Sequence, residues 1–454
     1  MIAPARVAAY DILVAVSSGR ADLPSAIAHS RDVLRDDRDR SLAAEIGTGV
    51  QRWRAALDHV IATLARRPTD RLDPEVLEIL RLGTYQLLHL SRVPASAVVD
   101  DAVKLTGKVG KRSASGFVNA VLRNVSRTRH ALPLPPRPTD PSNRDDALDY
   151  LSITTSHPRW LAARWFDRMG LARAEAWTTF NNQPAPMMLR ANPLRTTVLE
   201  LRARLALEGV VAHLGRFAPD ALAVEEGQPL RTAAAEEGEF VVQDEASQLV
   251  ALLLGPAPVV PVLDTCAAPG GKATAIAATI RGRGWLVACD VRDRRIALLR
   301  QTLRATGTSN AWVVQADMAA GLPFRGAFGS VLVDAPCSGL GTLRRDPDIR
   351  WRRREADLAV LARAQAHLLR HAAHAVAPGG RLVYATCSTE PEENEAIVRE
   401  FLRTADGFVP VDARRVHPSL PPDVVDGHGH LRTSPDRHGL EGFFGAVFER
   451  LRQL

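Results

Sequence analysis

The stretch 331–342, V-L-V-D-A-P-C-S-G-L-G-T, decides the fold. A short apolar run reads as a buried strand and breaks off at Asp334 and Cys337 in a glycine turn. Residues 382–389, L-V-Y-A-T-C-S-T, repeat the pattern and end at Cys387. In an open α/β sheet, ligands bind in the crevice outside the carboxyl ends of the strands. Two thiols placed there suggest covalent chemistry rather than packing. Outward from these stretches, V-V-P-V-L-D-T, G-W-L-V-A-C-D and N-A-W-V-V-Q-A-D also read as strands, separated by helix-like segments. That alternation from Phe240 onward predicts a parallel, doubly wound α/β sheet, a Rossmann-like domain. E-G-F-F-G-A-V-F-E-R reads as a final strand, with Phe443 and Phe444 in the core.

The first of these strands ends at Asp264 and opens into T-C-A-A-P-G-G-K-A-T-A-I-A. Glycines let a ligand approach the backbone, and a helix N-terminus offers unpaired N–H groups. A nucleotide-phosphate loop needs Gly at 266 and Ser or Thr at 273, where this chain has Cys266 and Ala273. The pattern G-x-G-x-x-G is absent as well. The second strand ends at Asp290, suited to two ribose hydroxyls, and the third at Asp317, suited to an adenine amino group. Acidic strand ends without a phosphate site fit a nucleoside free of phosphates, and S-adenosyl-L-methionine is that ligand. Its expected site comprises Cys266, Ala267, Ala268, Pro269, Gly270, Gly271, Lys272, Asp290, Asp317 and Asp334, and Arg295 close by reads either as a flanking cofactor ligand or as a surface salt bridge.

Residues 1–130 read as a helical bundle, with Pro74 placed for a first turn. They hold 20 basic and 14 acidic residues, against 38 and 37 in the remainder, so the excess base lies in this part. Such a bias is expected where nucleic acid is held. Only four lysines stand among 58 basic residues; three are Lys104, Lys108 and Lys111, next to Arg112, and the fourth is Lys272. Five prolines between Leu132 and Pro141 favour an extended spacer, so 131–145 reads as a linker. Residues 146–240 read as a small α+β connecting domain without the aromatic platform of an RNA-recognition motif, and 241–454 as the Rossmann-like domain. After Cys337, G-T-L-R-R-D-P-D-I-R-W-R-R-R carries six Arg, and Arg344, Arg345 and Arg350 are expected to grip RNA backbone. No apolar run reaches 18 residues, which argues against a membrane span. The N-terminus has Arg6 and Asp11 inside its apolar stretch and is no signal peptide. Four cysteines without C-x-x-C spacing give neither a zinc site nor a disulfide framework, and His428, His430 and His438 lack a metal-ligand pattern. A reducing cytoplasm fits.

The paired D-A-P-C-S-G and T-C-S motifs, with A-P-G-G-K, resemble the NOL/NOP2/Sun RNA 5-methylcytosine methyltransferases of the RsmB/Sun type. S-G-F-V-N-A-V-L-R-N-V, within about 125 residues, is similar to the RNA-binding factor NusB. The resemblance implies methyl transfer from S-adenosylmethionine to C5 of an RNA cytosine, with 16S rRNA as partner and cytosine 967 as target. It also implies roles. Cys387 is the nucleophile that adds to C6, Cys337 promotes release, Asp334 hydrogen-bonds the cytosine edge, and Lys272 lies near the base. D-A-P-C differs from the Asn/Asp-Pro-Pro-aromatic loop of amino methylation. The alternatives are the same chemistry on tRNA or another rRNA site, or a non-catalytic ribosome-assembly factor. Intact Cys387, Asp334 and A-P-G-G-K stand against the latter.

Overall fold

The structure, a computed structural model, describes residues 2–321 and 324–452. They form two compact units: Met1–Pro184 with Leu343–Glu355, and Ala185–Thr342 with Ala356–Leu454. Among the described residues no helix is long and apolar enough to cross a membrane.

The first unit is helical. Its bundle comprises helices Pro4–Ser17, Leu23–Val33, Asp37–Ala65, Pro74–His89, Ala95–Lys108 and Ser115–Thr128. Asp22, Asp36 and Asp73 cap three of them, accepting backbone N–H groups of the first turn. Pro74 occupies the first turn, as its position predicts. Leu13, Ile46, Ile61, Leu80, Leu105 and Leu122 fill the core. Arg81 is held there by both Asp58 oxygens and by Glu78, each at 2.7 Å.

Two expectations change in this unit. The proline-rich stretch is irregular but not a free spacer. Leu132 and Leu134 pack on the helical core, and Thr154 Oγ1 donates to the Pro135 carbonyl at 2.6 Å. Nor is Arg350, in the segment 343–355, placed to grip RNA backbone. Arg350 has no exposed surface. Its guanidinium donates to the Ser156 carbonyl at 2.9 Å, to Asn182 Oδ1 at 3.0 Å, and to the Asn181, Leu343 and Arg52 carbonyls at 3.3 Å. Five carbonyl acceptors around one guanidinium with no exposed surface make a structural plug that a phosphate does not reach. Trp351 Nε1 donates to the Gln51 carbonyl at 2.7 Å, and Asp348 accepts from Leu23 N at 3.1 Å. Arg344 donates to the Pro184 carbonyl and lies over the Phe180 ring. Arg345 is half-buried.

The segment 146–240 divides. Helices Arg144–Asp149 and Arg159–Asn182 join the first unit, and its strands join the second. There β1 (Met187–Ala191), β2 (Val211–Leu214), β3 (Ala221–Glu226) and β4 (Phe240–Val242) form an antiparallel sheet in the order β2-β3-β1-β4. Helix Val198–Leu207 covers it through Leu201 and Leu205.

The large sheet has β5 (Val262–Asp264), β6 (Leu286–Asp290), β7 (Ala311–Gln315), β8 (Phe328–Asp334), β9 (Val376–Thr386), β10 (Phe408–Val411), β11 (Leu431–Arg432) and β12 (Phe444–Arg450). Its order is β10-β12-β9-β8-β5-β6-β7, with β11 beside β12. Strands β5 to β9 run parallel, as the alternation predicts. The last strand pairs antiparallel with β9 and with β10, so the sheet is mixed. The run from Val331 to Val333 is buried on both faces, which explains its unbroken apolar reading. Phe443 and Phe444 are buried, as predicted.

Candidate active site

The cofactor side is built by the turn after β5 and the ends of β6 and β7. Gly270 caps helix Gly271–Thr279 with φ +113°, a conformation that suits glycine. The small sheet braces that helix from behind. Arg190 of β1 is buried and donates to the Gly271 carbonyl, to Thr274 Oγ1 and to Gln243 Oε1. Asn192, just after β1, holds the end of the next helix, Asp293–Ala305, by donating to the Thr306 carbonyl at 2.9 Å. Neither residue was singled out in the sequence. Their only signal was a polar pair in an apolar strand.

A cavity of about 1010 Å³ opens over these strand ends and is lined by Thr265, Cys266, Asp290, Arg295, Asp317 and Pro336, among others. Asp290 is buried, and its Oδ1 accepts Val291 N at 2.9 Å. Its Oδ2 has no hydrogen-bond partner, while Arg295 Nε stands 3.4 Å away. Arg295 also donates to the Ala268 carbonyl at 2.7 Å and so ties the second strand end to the glycine turn. Asp317 is exposed at the cavity wall. An unsatisfied buried carboxylate oxygen for ribose hydroxyls, a second carboxylate for an amino group and a glycine turn without a phosphate pattern fit S-adenosylmethionine. That cofactor supplies an electrophilic methyl group. A smaller neighbouring cavity shares Cys266 and is lined by Asp264, Ala267, Ala268, Pro269, Gly271, Lys272 and Asp334.

Lys272 projects from the first turn of its helix and donates to Asp334 Oδ2 at 2.7 Å. Burial opposes its charge, but Asp334, Cys387 and Asp264 outweigh burial and raise the ammonium above its ordinary range. The Phe443 ring lies 5.6 Å from Nζ. Asp264 behind them is buried, and its carboxyl is pushed up to about 7, first by burial and then by Asp334.

The thiols stand at the ends of neighbouring strands. Register pairs Asp334 with Ala385, and Ala335 N donates to the Ala385 carbonyl at 2.8 Å. Cys337 Sγ and Cys387 Sγ are 3.2 Å apart, and neither cysteine is in a disulfide. The hydrogen bond to Cys387, then burial, then the charges of Cys387 and Glu393 raise the Cys337 thiol well above its ordinary range. Cys337 is therefore held as a proton-bearing thiol facing Cys387. The loop after it passes so close that only glycine fits at 341. A Cβ there would meet the Gly442 carbonyl at 1.9 Å and the Cys387 carbonyl at 2.8 Å. Gly341 N donates to that Cys387 carbonyl at 2.9 Å. Cys266 and Cys289 are pushed up to about 12, chiefly by burial.

The basic candidates of the bundle lie together on helix Ala95–Lys108 and the turn after it. Lys104 pairs with Asp100 at 2.6 Å, and Lys111 with Asp73 at 2.5 Å. Lys108 and Arg112 are exposed.

Such a sheet, carrying carboxylates over a cofactor cavity and two opposed thiols beside it, fits an S-adenosylmethionine-dependent methyltransferase. A family model described as 16S rRNA methyltransferase RsmB/F matches residues 251–449, a NusB family model matches 3–127, and an RsmF/B-like ferredoxin-like domain matches 157–231. The chain belongs to the RsmB/F family of 16S rRNA methyltransferases. It is 35% identical to the ribosomal RNA small subunit methyltransferase B of Pseudomonas syringae pv. tomato, covering 97% of this chain and 96% of that one. With the enzyme of the same name from an Escherichia coli strain it shares 34% identity over 82% and 83% of the two chains. The crystal structure of PH0851 is similar over 99% of both chains, with TM-score 0.81 and 26% identity. A methyltransferase homologue from Pyrococcus horikoshii is 28% identical and covers 67% of this chain and 99% of its own, with TM-score 0.57.

Proposed function

We propose that this enzyme methylates C5 of a cytosine in 16S rRNA, at position 967, through a covalent adduct on Cys387, and that it acts in the cytoplasm. One observation carries the chemistry: two thiols 3.2 Å apart on adjacent strand ends, not joined in a disulfide, beside the Lys272–Asp334 pair. Cytosine C5 is a poor nucleophile until a thiolate adds to C6. The Cys387 sulfur forms the S–C6 bond, and the electron pair of C5=C6 shifts toward the N3–C4 side, giving C5 enamine character. Asp334 accepts the N4 amino hydrogen, and Lys272 holds Asp334 in place and offsets the charge that develops. C5 then forms its bond to the methyl carbon, and the S–CH₃ electron pair stays on the sulfur of the cofactor product. The C5 proton passes to solvent, C5=C6 re-forms, and the S–C6 pair returns to Cys387. Cys337 assists this departure by donating its thiol hydrogen bond to the leaving sulfur. The ribosomal target is supported by similarity along nearly the full length of relatives named small subunit methyltransferase B.

The test is a map of 5-methylcytosine in RNA from cells with and without the gene. Loss of a single 16S rRNA mark at position 967 is expected. Loss confined to tRNA would move the substrate, and an unchanged map would remove the assignment.

A further inference from the structure

Both cysteine motifs continue with serine, and T-C-S runs on into T-E-P-E-E-N-E. In the structure these polar residues converge on one fully buried carboxylate, Glu393. Its Oε1 accepts from Ser338 N and from Gln365 Nε2, each at 2.8 Å. Its Oε2 accepts from Ser338 Oγ at 2.5 Å and from Ser388 Oγ. The two hydroxyls lie 3.1 Å apart. Their lone pairs take Leu340 N at 3.4 Å and Glu390 N at 3.2 Å. Gln365 is fixed in turn by donation to the Pro336 carbonyl at 3.0 Å. Asn394 works on the same loop. It accepts from Thr386 Oγ1 at 2.6 Å and donates to the Ser388 carbonyl at 2.9 Å.

Strand pairing fixes where the two loops start, about 4.8 Å apart. It does not fix how closely the side chains beyond the strand ends approach. A single carboxylate that holds the residue after each cysteine supplies that constraint. All four of its partners donate, and only a carboxylate offers acceptors to all of them. Glutamine can serve Ser338 N and Gln365 Nε2 with its one oxygen only by turning its amide to the serines, whose hydroxyls must then stop donating and rotate to accept. Aspartate is one methylene too short to reach both serines.

We propose that Glu393 is a positioning residue of the two-thiol step: by binding the serines that follow Cys337 and Cys387 it holds the sulfurs within hydrogen-bond distance, so that release follows methyl transfer. This rests on the reading of Cys387 as the attacking thiol and Cys337 as the releasing one. Glu393 is also among the groups that keep the Cys337 proton in place.

Total RNA from cells lacking the gene serves as acceptor, so no particular nucleotide is presupposed. Turnover, cofactor affinity and the yield of denaturation-resistant protein–RNA complex are compared among wild type, Cys337→Ala, Glu393→Gln, Ser338→Ala and Ser388→Ala. Glu393→Gln is expected to bind S-adenosylmethionine within about threefold of wild type, to turn over at least ~10-fold more slowly, and to accumulate the complex at least ~5-fold. Each serine variant should move in the same direction by less. Wild-type turnover by a folded Glu393→Gln overturns the proposal. So does lost turnover with cofactor bound and no complex. If Glu393→Gln does not fold, the serine variants decide the question by the same criteria. Complex that persists when Cys387→Ala is added shows that the reading of the thiols has failed. Complex that accumulates in Cys337→Ala but in none of the other variants overturns the role of Glu393 alone.

Discussion

Cys337 and Cys387 differ in their surroundings although their sulfurs nearly touch. Cys387, burial and then Glu393 raise the Cys337 thiol, whereas Cys387 is among the groups that raise the Lys272 ammonium. Cys387→Ala should lower methyl incorporation into RNA by at least about a thousandfold while cofactor affinity stays within about threefold. Tritiated methyl transfer alongside calorimetry checks this, and near-normal turnover would remove Cys387 as the nucleophile. Asp264 offers a different test. A carboxyl raised on folding favours the fold where it is protonated in both states, below its ordinary value of about 3.9. That contribution is lost as the pH climbs to about 7, and above it the buried charge opposes the fold in full. Asp264→Asn should therefore stabilise the cofactor-free protein by about 2–4 kcal/mol at pH 8, and by less than half of that at pH 5. Urea unfolding at the two pH values measures the difference. An equal gain at both would assign it to packing instead.

The strand ends were legible because an unbroken apolar run that stops at Asp264, Asp290 or Cys337 has few other readings. The final strand was legible for the same reason, though its antiparallel pairing was not, because pairing direction depends on the connection. Glu393 was not legible. An acidic residue in P-E-E-N-E reads as a solvated turn, and its burial follows only from Ser338 and Gln365, brought in from two other segments to join Ser388 of its own loop. Arg350 misleads in the opposite way. Among six arginines it reads as a phosphate contact, yet the helical unit closes around it. Burial brings its guanidinium down to about 9, with Arg52 adding to the effect. Arg350→Ala leaves several buried carbonyls without a donor, and each unpaired group costs about 1–3 kcal/mol. A loss of at least ~3 kcal/mol in urea unfolding is expected. The salt dependence of RNA binding should be unaltered, because no phosphate contact is removed. A flatter salt dependence in a stable variant would restore Arg350 as an RNA ligand.

At the scale of the whole molecule, base is concentrated in the helical bundle and chemistry in the mixed sheet. Log K against log salt for RNA changes by roughly 0.7–0.9 per phosphate contact. Lys104 and Lys111 already answer carboxylates, whereas Lys108 and Arg112 project into solvent. Replacing Lys108 and Arg112 by Gln should flatten the slope by about 1.4–1.8, and replacing Lys104 and Lys111 should change it by less. Titrations over a salt series would show this, and equal effects of the two pairs would contradict it. Cofactor affinity should be unchanged in both paired variants, since every residue lining the cofactor cavity lies in the second unit.

The plug at 343–355 also sets a timetable. The helical unit holds residues up to Pro184, but its last internal segment is encoded after Thr342. Translation runs at about 5–20 residues per second, so the stretch from 185 to 355 takes roughly 10–35 s to appear. Through that interval the nascent helices must wait with the niche for Arg350 and Trp351 unfilled, and a chain cut after Pro184 would never fill it. Completion of the first unit is thus deferred until Cys337, the earlier of the two opposed thiols, has been synthesised.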